Sequence, residues 1–261
     1  MDYYIVDAFT GDLFSGNTAA VCILSQQVPD KFMQRIASEF NLSETAFIEK
    51  KNDHFRLRWF SPRMEVDLCG HATLAGAHIL WEQNIINNKS IIFFDTNSGI
   101  LSVKKAKDRI VMDFPREDAL ETECPEEIIR GLKIKPLFSG KNRFDYIVEV
   151  GSEELVRKIK PDFGILAGLS TRGIIVTSDS ESGDYDFVSR FFAPNAGISE
   201  DPVTGSAHCC LGPYWSRKLN KTKLTGYQAS ERGGTVYVDI KEGRVLLGGN
   251  AVTFSSGKLI D

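Results

Sequence analysis

Residues 58–62 (RWFSP) and residues 190–194 (RFFAP) repeat one short pattern at an offset of 132 positions in a chain of 261 residues. After each copy comes a loop with acidic residues and then an apolar segment, which begins with GHAT at 70–73 and with GSAH at 205–208. Matching blocks in the same order are the signature of an internal repeat. The sequence therefore predicts a duplicated fold, with one copy in each half of the chain.

A weaker third pair of blocks precedes these, LSET at 42–45 and LSTR at 169–172, each followed by a strand-like run. Most other short apolar runs also have the length and composition of β-strands. These runs are residues 3–9, 19–24, 55–60, 100–103, 110–114, 185–192 and 235–240. Residues 31–41 instead carry apolar side chains at helical spacing, which predicts a surface helix packed on a sheet.

Two further segments, residues 70–81 and 207–215, are apolar nearly all round. A helix without a polar face has to be enclosed, so each half is expected to surround its own helix. Pro213 removes a backbone donor about two turns into the second segment and should kink or shorten that helix. Both helices begin with glycine, and their first N–H groups can bind an anion. If the halves face one another, a substrate carboxylate can be held in a cleft from both sides.

The bulk composition argues against several classes of function. The chain carries 35 acidic and 31 basic residues, a formal net charge of -4, and shows no basic stripe for a nucleic-acid backbone. No stretch approaches the ~20 apolar residues of a membrane helix, and the N-terminal residues lack the order of a signal peptide. We therefore expect a cytoplasmic protein that binds neither nucleic acid nor membrane. Five cysteines without framework spacing predict free thiols.

Glu44 and His71 are candidate proton-transfer residues. Glu44 lies in a polar island at the mouth of an apolar strand, and a carboxylate in a partly dry cleft has its pKa raised from about 4.3, which makes it a usable general base. A solvated or capping glutamate is the alternative. His71 follows Gly70 at a helix start, where an imidazole can exchange protons or bind a carboxylate. A satisfied core histidine is the alternative there.

Asp201 and Ser206 flank the start of the second apolar segment. Asp201 can assist proton transfer, but short acidic side chains in this position also cap helices or turn the chain. Ser206 can bind an anion through its hydroxyl and backbone N–H, or it can simply be a first-turn residue. The local pattern leaves both alternatives open.

Cys69 would lie at a helix N-terminus, where the pKa of a thiol is lowered and its reactivity is raised. A two-base cysteine racemase needs a second thiol at the matching place of the other half, which holds residues 201–203 (DPV). Cys209 and Cys210 lie about one turn into the second helix and are predicted to be core residues.

Metal and nucleotide sites are not predicted. The cysteines and histidines show no paired Cys-x-x-Cys or His-Glu-x-x-His spacing. The glycine-rich pieces at 11–17 and 232–234 lack the dinucleotide and phosphate-loop fingerprints and are interpreted as turns.

Five blocks in order resemble the PhzF-like (phenazine-biosynthesis-like) family. They are DAFT at 7–10, GNTAAV at 16–21, LSETAF at 42–47, CGHATL at 69–74 and EDPVTGSAH at 200–208, with QAS at 228–230 and RGG at 232–234 near the end. The resemblance covers nearly the whole chain. It implies an α+β, diaminopimelate-epimerase-like fold of two similar domains, each with a barrel-like sheet around a central helix. We expect these domains at residues 1–116 and 117–261, with a last strand that can pack back on the first half.

The resemblance also implies a cofactor-free isomerase whose active site lies between the two halves. In it Glu44 abstracts and redelivers a proton, with His71 and Asp201 as further catalytic residues. The positions of Gly70, Gly205 and Ser206 match those that bind the substrate carboxylate. Family members are commonly homodimers.

One position differs from the residue that is usual in the family, and another is similar to a residue of related enzymes. Thr18 stands where proline is usual, which should alter only the local loop. Cys69 is similar to the first thiol of the related cysteine epimerases, and we interpret it as a bystander.

Three functional hypotheses follow. The first is an isomerase that uses Glu44 on a small carboxylate. The second is a cysteine-type racemase that uses Cys69, and the third is a metabolite-binding protein without catalysis. The sequence carries no feature that identifies the substrate.

Overall fold

The computed structural model describes residues 1–260 and divides the chain into two units. The first unit consists of Met1–Phe114 together with the chain from Gly248 onward, and the second is the continuous stretch Pro115–Leu247. The division thus lies two residues before the boundary expected at 116/117, and the last strand is part of the first unit.

The described residues form eighteen strands and six α-helices, which loops and one short 3-10 helix connect. The strands are β1 (Asp2–Ala8), β2 (Asn17–Leu24), β3 (Glu44–Lys50), β4 (Phe55–Phe60), β5 (Glu65–Val66), β6 (Ile92–Thr96), β7 (Gly99–Ala106), β8 (Arg109–Pro115), β9 (Leu120–Glu121), β10 (Phe138–Lys141), β11 (Asp145–Glu149), β12 (Gly173–Asp179), β13 (Phe187–Ala193), β14 (Ile198–Glu200), β15 (Lys223–Gln228), β16 (Gly234–Lys241), β17 (Arg244–Gly249) and β18 (Ala251–Lys258). The helices are α1 (Asp30–Phe40), α2 (Gly70–Glu82), α3 (Glu126–Leu132), α4 (Glu153–Lys158), α5 (Phe163–Leu166) and α6 (Gly205–Leu219).

The sheet of the first unit combines antiparallel hairpins with two parallel pairings. β1 lies between β2 and β18 and is antiparallel to both, and β2 pairs with β3 in parallel. β3 is antiparallel to β4, which pairs with the short β5 and, in parallel, with β6. Helix α2 packs against β1, β2, β3 and β18, and most of its residues are buried. The predicted enclosure of residues 70–81 is therefore confirmed.

The second unit repeats this order of pairings. β10 and β11 are antiparallel, β11 and β12 parallel, and β12 and β13 antiparallel. β13 then pairs with the short β14 and, in parallel, with β15, which continues into β16. Helix α6 is buried along most of its length against β15, β16 and β11. The same topology in both units confirms the duplication.

The repeated pattern at residues 58–62 and 190–194 makes equivalent contacts in the two units. Arg58 of β4 donates two hydrogen bonds of 2.7 Å to Glu65 of β5, and Arg190 of β13 donates two of 2.7 Å to Glu200 of β14. Each guanidinium also lies over the phenylalanine ring two residues further on, at 5.1 and 4.8 Å. The arginine therefore joins a long strand to the short strand beside it in each copy.

The third pair of blocks, in contrast, was aligned wrongly by two residues. Thr45 pairs with the last phenylalanine of β4, and Ile174 pairs with the equivalent phenylalanine of β13. These registers make Gly173 the counterpart of Glu44, whereas the sequence pattern had suggested Thr171. The short sequence blocks alone do not reveal this register.

Pro213 does not shorten its helix. Helix α6 runs for 15 residues through Pro213, two more than the 13 of α2. A proline lacks the N–H that would serve the carbonyl four residues earlier, here that of Cys209. The backbone N–H of Glu117 donates to that carbonyl at 3.1 Å. The orphaned acceptor is therefore satisfied from outside the helix.

The remaining predicted elements agree with the structure to within a few residues. The helix expected over 31–41 is α1, which buries Met33, Ile36 and Ala37. Cys209 and Cys210 are core residues as predicted. Among residues 1–260, no helix has both the length and the apolar character needed to cross a membrane.

Candidate active site

Glu44 is the first residue of β3, at the point where the chain enters the sheet. Its neighbour in the parallel register is Ala19 of β2. The side chain of Glu44 is 14% exposed, while the next residue, Thr45, is completely buried. The carboxylate therefore lies at the edge of the apolar core and keeps limited access to solvent.

Cys69 and His71 lie at the N-terminal end of α2. Cys69 is the N-cap residue, and Gly70 begins the helix. Thr73 ties the cap down, because both its backbone N–H and its hydroxyl donate to the Cys69 carbonyl. Cys69 and His71 are 7% and 4% exposed. A helix enclosed by sheet thus fixes both side chains at its first turn.

These two elements bring three reactive side chains together. His71 Nε2 lies 3.3 Å from Glu44 Oε2, and Cys69 Sγ lies 3.6 Å from the same oxygen. Cys69 Sγ is also 3.5 Å from His71 Nδ1. The structure therefore joins Glu44 to His71, and it adds Cys69, which sequence reasoning had interpreted as a bystander.

Asn17 orients the imidazole from the other side. Its Nδ2 lies 3.2 Å from His71 Nδ1, and its side chain is fully buried. With the amide donating, Nδ1 is the acceptor, so Nε2 carries the ring proton and donates toward Glu44. Burial lowers the pKa of His71 from 6.5 to about 3, so the ring is neutral at neutral pH. Asn17 stood in the GNTAAV block, but that pattern gave no sign of its contact with His71.

Asp201 belongs to a second polar group, at the start of α6. Asp201 Oδ2 accepts a 2.6 Å hydrogen bond from the hydroxyl of Thr204, which is the N-cap residue. Gln228 closes the turn: its Nε2 donates to the Asp201 carbonyl at 2.6 Å, and its Oε1 accepts from Thr204 N at 2.8 Å. Asp201 is therefore not the N-cap residue, but it is fixed three residues before that cap. Sequence reasoning had missed Thr204 and Gln228.

Gly205 and Ser206 are the first two residues of α6. Gly205 is buried, whereas Ser206 is partly exposed. The next histidine, His208, is completely buried one turn further on. Its Nδ1 lies 2.9 Å from the Thr204 carbonyl, to which it donates. Burial lowers the pKa of His208 to about 4.

The predicted site residues thus fall into two groups. Glu44, Gly70 and His71 lie together in the first unit, and Asp201, Gly205 and Ser206 lie together in the second. The expectation that both groups serve one substrate stays a prediction.

The group in the first unit also contains ligand types that bind metals. One atom each from Glu44, Cys69 and His71 lies within 4.8 Å of the others. Spacing motifs could not reveal this group, because Glu44 comes from a strand 25 residues before the cysteine.

Comparison with known proteins places the chain in a family. A profile described as phenazine biosynthesis-like protein, PhzC-PhzF, matches residues 6–257. A relative from Halalkalibacterium halodurans, named an uncharacterized isomerase, is 54% identical over 258 residues, which cover 98% of this chain and 97% of the relative.

Solved structures agree with that match. The crystal structure of a PhzF-family phenazine biosynthesis protein from Enterococcus faecalis is 43% identical, with a TM-score of 0.95 over 99% of this chain and 98% of that one. A predicted epimerase from Pseudomonas aeruginosa is 20% identical, with a TM-score of 0.76 over 100% and 99% of the two chains, and shows the fold alone. These likenesses confirm the α+β, epimerase-like fold. Since the profile runs along nearly its whole length, the chain belongs to the phenazine biosynthesis-like (PhzC-PhzF) family.

Proposed function

We propose that the protein is an isomerase that moves a proton within a small carboxylate substrate by general acid/base catalysis. The observation that carries this proposal is the 3.3 Å contact between Glu44 and a histidine that burial keeps neutral. The names of related proteins support an isomerase, and the fold is shared with a predicted epimerase.

Glu44 is the better candidate for the base. A neutral His71 donates its Nε2–H toward Glu44 Oε2, which orients the carboxyl group. Glu44 is also more exposed than His71, with side-chain exposures of 14% and 5%. A substrate proton passes to the carboxylate and is returned to another position with the aid of His71 or Asp201. Because the substrate loses one proton, regains one and keeps the same number of electrons, the reaction needs no redox cofactor.

The substrate carboxylate is assigned to the helix starts. The first N–H groups of α2 and α6, at Gly70 and Gly205, point out of helices whose dipoles favour an anion at that end. Ser206 adds a partly exposed hydroxyl in the first turn of α6. These groups stabilise negative charge while the neighbouring carbon loses its proton.

The direct test is proton NMR in heavy water with a panel of small carboxylic acids. The wild type should replace a carbon-bound proton by deuterium, and Glu44→Gln should slow that exchange by on the order of 10²- to 10⁴-fold, as expected for loss of a general base. Glu49→Gln is the matched control, since Glu49 lies on the same strand and pairs with Lys51. It should exchange at the wild-type rate.

Equal exchange in wild type and Glu44→Gln would overturn the assignment of Glu44. Exchange by neither protein with any acid of the panel would favour the hypothesis of a metabolite-binding protein without catalysis. Folding of each variant is checked first by circular dichroism.

A cysteine-type racemase is the second candidate, and one observation favours it. Cys69 Sγ contacts both Glu44 and His71, at 3.6 and 3.5 Å. In that case Cys69→Ser should abolish exchange while Glu44→Gln retains it. Our proposal expects the reverse order of effects.

The homodimer rests on the family resemblance, and the cytoplasmic location rests on the sequence composition. We propose a homodimer in the cytoplasm, which size-exclusion chromatography with light scattering and cell fractionation can test.

A further inference from the structure

The three side chains around Glu44 form a triangle of unlike ligand atoms. Glu44 Oε2 and His71 Nε2 are 3.3 Å apart, Glu44 Oε2 and Cys69 Sγ are 3.6 Å apart, and Cys69 Sγ and His71 Nε2 are 4.0 Å apart. The backbone that carries these side chains is fixed. Glu44 is the first residue of β3, and Cys69 and His71 lie at the start of the enclosed helix α2.

This triangle has nearly the size of one face of a zinc tetrahedron. Zinc binds oxygen and nitrogen at about 2.0–2.2 Å and sulfur at about 2.3 Å, so neighbouring tetrahedral ligands lie roughly 3.3–3.6 Å apart. The two distances to Glu44 fall in that range. The distance between sulfur and Nε2 is longer, at 4.0 Å, and the sulfur lies closer to Nδ1, at 3.5 Å, so the imidazole has to turn to bring Nε2 to the metal.

The chemistry of the three ligands selects the metal. Thiolate, imidazole and carboxylate are all zinc ligands, and a thiolate disfavours magnesium and calcium. Three protein ligands and a water in the fourth position give the coordination found at open zinc sites.

Asn17 supplies the support that a metal-binding histidine needs. A histidine that binds metal through Nε2 carries its proton on Nδ1, and it usually donates that proton to an oxygen. The Asn17 amide lies 3.2 Å from Nδ1. A half-turn of the amide would direct Oδ1 instead of Nδ2 at the ring, and so would match the metal-bound tautomer.

We propose that Glu44, Cys69 and His71 bind one zinc ion per chain, and that this ion blocks proton transfer by Glu44. Cys69 loses its thiol proton to solvent when zinc binds, and Glu44 donates to the metal the lone pair with which it would accept a substrate proton. Zinc is thus a reversible inhibitor here. The inhibition rests on the proposed function, whereas the binding does not.

The test uses metal-free protein and cobalt(II), which takes zinc sites and reports its ligands by absorption. We expect one cobalt per chain, the strong visible bands of a tetrahedral ion and a sulfur-to-cobalt charge-transfer band, all removed by one equivalent of zinc. Cys69→Ser should abolish the charge-transfer band. Cys124→Ser should keep it, and it is the matched control because Cys124 is a more exposed free thiol.

A second variant guards against a folding defect in Cys69→Ser. Glu44→Gln keeps the size of a partly exposed side chain, so it should keep the charge-transfer band but weaken zinc binding by more than the roughly 10- to 100-fold typical of losing an outer-shell partner. Calorimetry with zinc measures that change.

Three results would overturn the proposal: no cobalt spectrum in the wild type, an unchanged spectrum in Cys69→Ser, or loss of the band in Cys124→Ser. Failure of the zinc site and failure of the isomerase are distinguishable. Metal-free protein that exchanges substrate protons but binds no zinc contradicts only the first, and protein that binds zinc without exchanging protons contradicts only the second.

Discussion

The two units share one topology but carry different chemistry at equivalent positions. The first residue of β3 is Glu44, and its counterpart in β12 is Gly173. The second residue of α2 is His71, and that of α6 is Ser206. The first unit therefore presents a carboxylate and an imidazole where the second presents a bare backbone and a hydroxyl. A duplicated fold fixes where side chains emerge, but each copy acquires its own set.

Packing explains why the second unit has no acid at the strand entry. A Cβ at Gly173 would lie 2.2 Å from the ring of Phe191, a residue of the repeated pattern. No side chain fits there unless that ring moves. The space that Glu44 occupies in one copy is thus filled by an aromatic ring in the other.

The histidines of the two central helices also differ in role. His71 faces Glu44 from the helix start, whereas His208 lies two positions further along its helix, beside the ring of Phe187, 5.8 Å between centroids. Phe187 in turn stacks on Trp215. We interpret His208 as a core residue of the second unit.

The largest expected effect is on stability and comes from Gly173→Ala. The added methyl group must displace the Phe191 ring, so the free energy of unfolding should fall by about 3 kcal/mol, near the upper end for overpacking. Gly151→Ala is the control, because its Cβ would meet nothing closer than 4.0 Å. Urea unfolding measures both. Equal stability of the two variants would mean that the Phe191 ring moves aside at little cost. Packing would then not explain why position 173 lacks an acidic residue.

A smaller loss is expected when the turn before α6 is released. Gln228→Ala leaves the Thr204 N–H and the Asp201 carbonyl without their amide partner, which should lower the free energy of unfolding by about 2 kcal/mol. The matching residue of the first unit, Thr96, bonds only within its own hairpin turn: its hydroxyl donates to the Gly99 carbonyl at 2.6 Å and accepts from Ser98 N at 3.1 Å. Thr96→Ala should cost roughly half as much in the same urea assay. A larger loss for Thr96→Ala would contradict the role given to Gln228.

Taken per pH unit, the smallest effect is a pH dependence of the free energy of unfolding. The pKa of His71 is lowered to about 3 and that of His208 to about 4, both by burial. Between these values and 6.5 the unfolded chain binds more protons, so stability is complete above about pH 6.5 and is lost as the pH falls. His71→Asn and His208→Asn should each reduce the slope of unfolding free energy by up to about 1.4 kcal/mol per pH unit.

Urea titrations at several pH values between 4 and 7 measure these slopes. An unchanged slope in either variant would show that the corresponding ring takes up its proton in the folded state. Only His71→Asn should also slow substrate proton exchange, which separates the two roles.

The sequence predicted the duplicated architecture because a repeated pattern and two fully apolar helices leave few alternatives. It also identified Glu44 and His71, which the structure brings together. Their contact with Cys69 and Asn17 was not predictable, since it depends on how a parallel strand pair and a helix start meet in space. A spacing motif can identify a set of ligands only when those residues are close together in the sequence.

Two local errors have the same physical origin. Pro213 was expected to kink or shorten its helix, and the expected shortening was wrong: the N–H of Glu117, about a hundred residues earlier, satisfies the carbonyl that the proline leaves without a donor. The alignment of residues 42–45 with residues 169–172 was wrong by two positions, because the register of each strand is set by its pairing with β4 or β13. Both depend on distant partners that a local pattern does not contain.

The position of β1 has a consequence for how the protein is made. β1 pairs on one side with β18, so β1 leaves the ribosome long before this partner strand does. At about 5–20 residues per second, that interval is on the order of 10–50 seconds. The second unit, a continuous stretch of chain, can fold meanwhile. A nascent or truncated chain without β18 exposes an unpaired edge of β1, and such an edge is a template for aggregation.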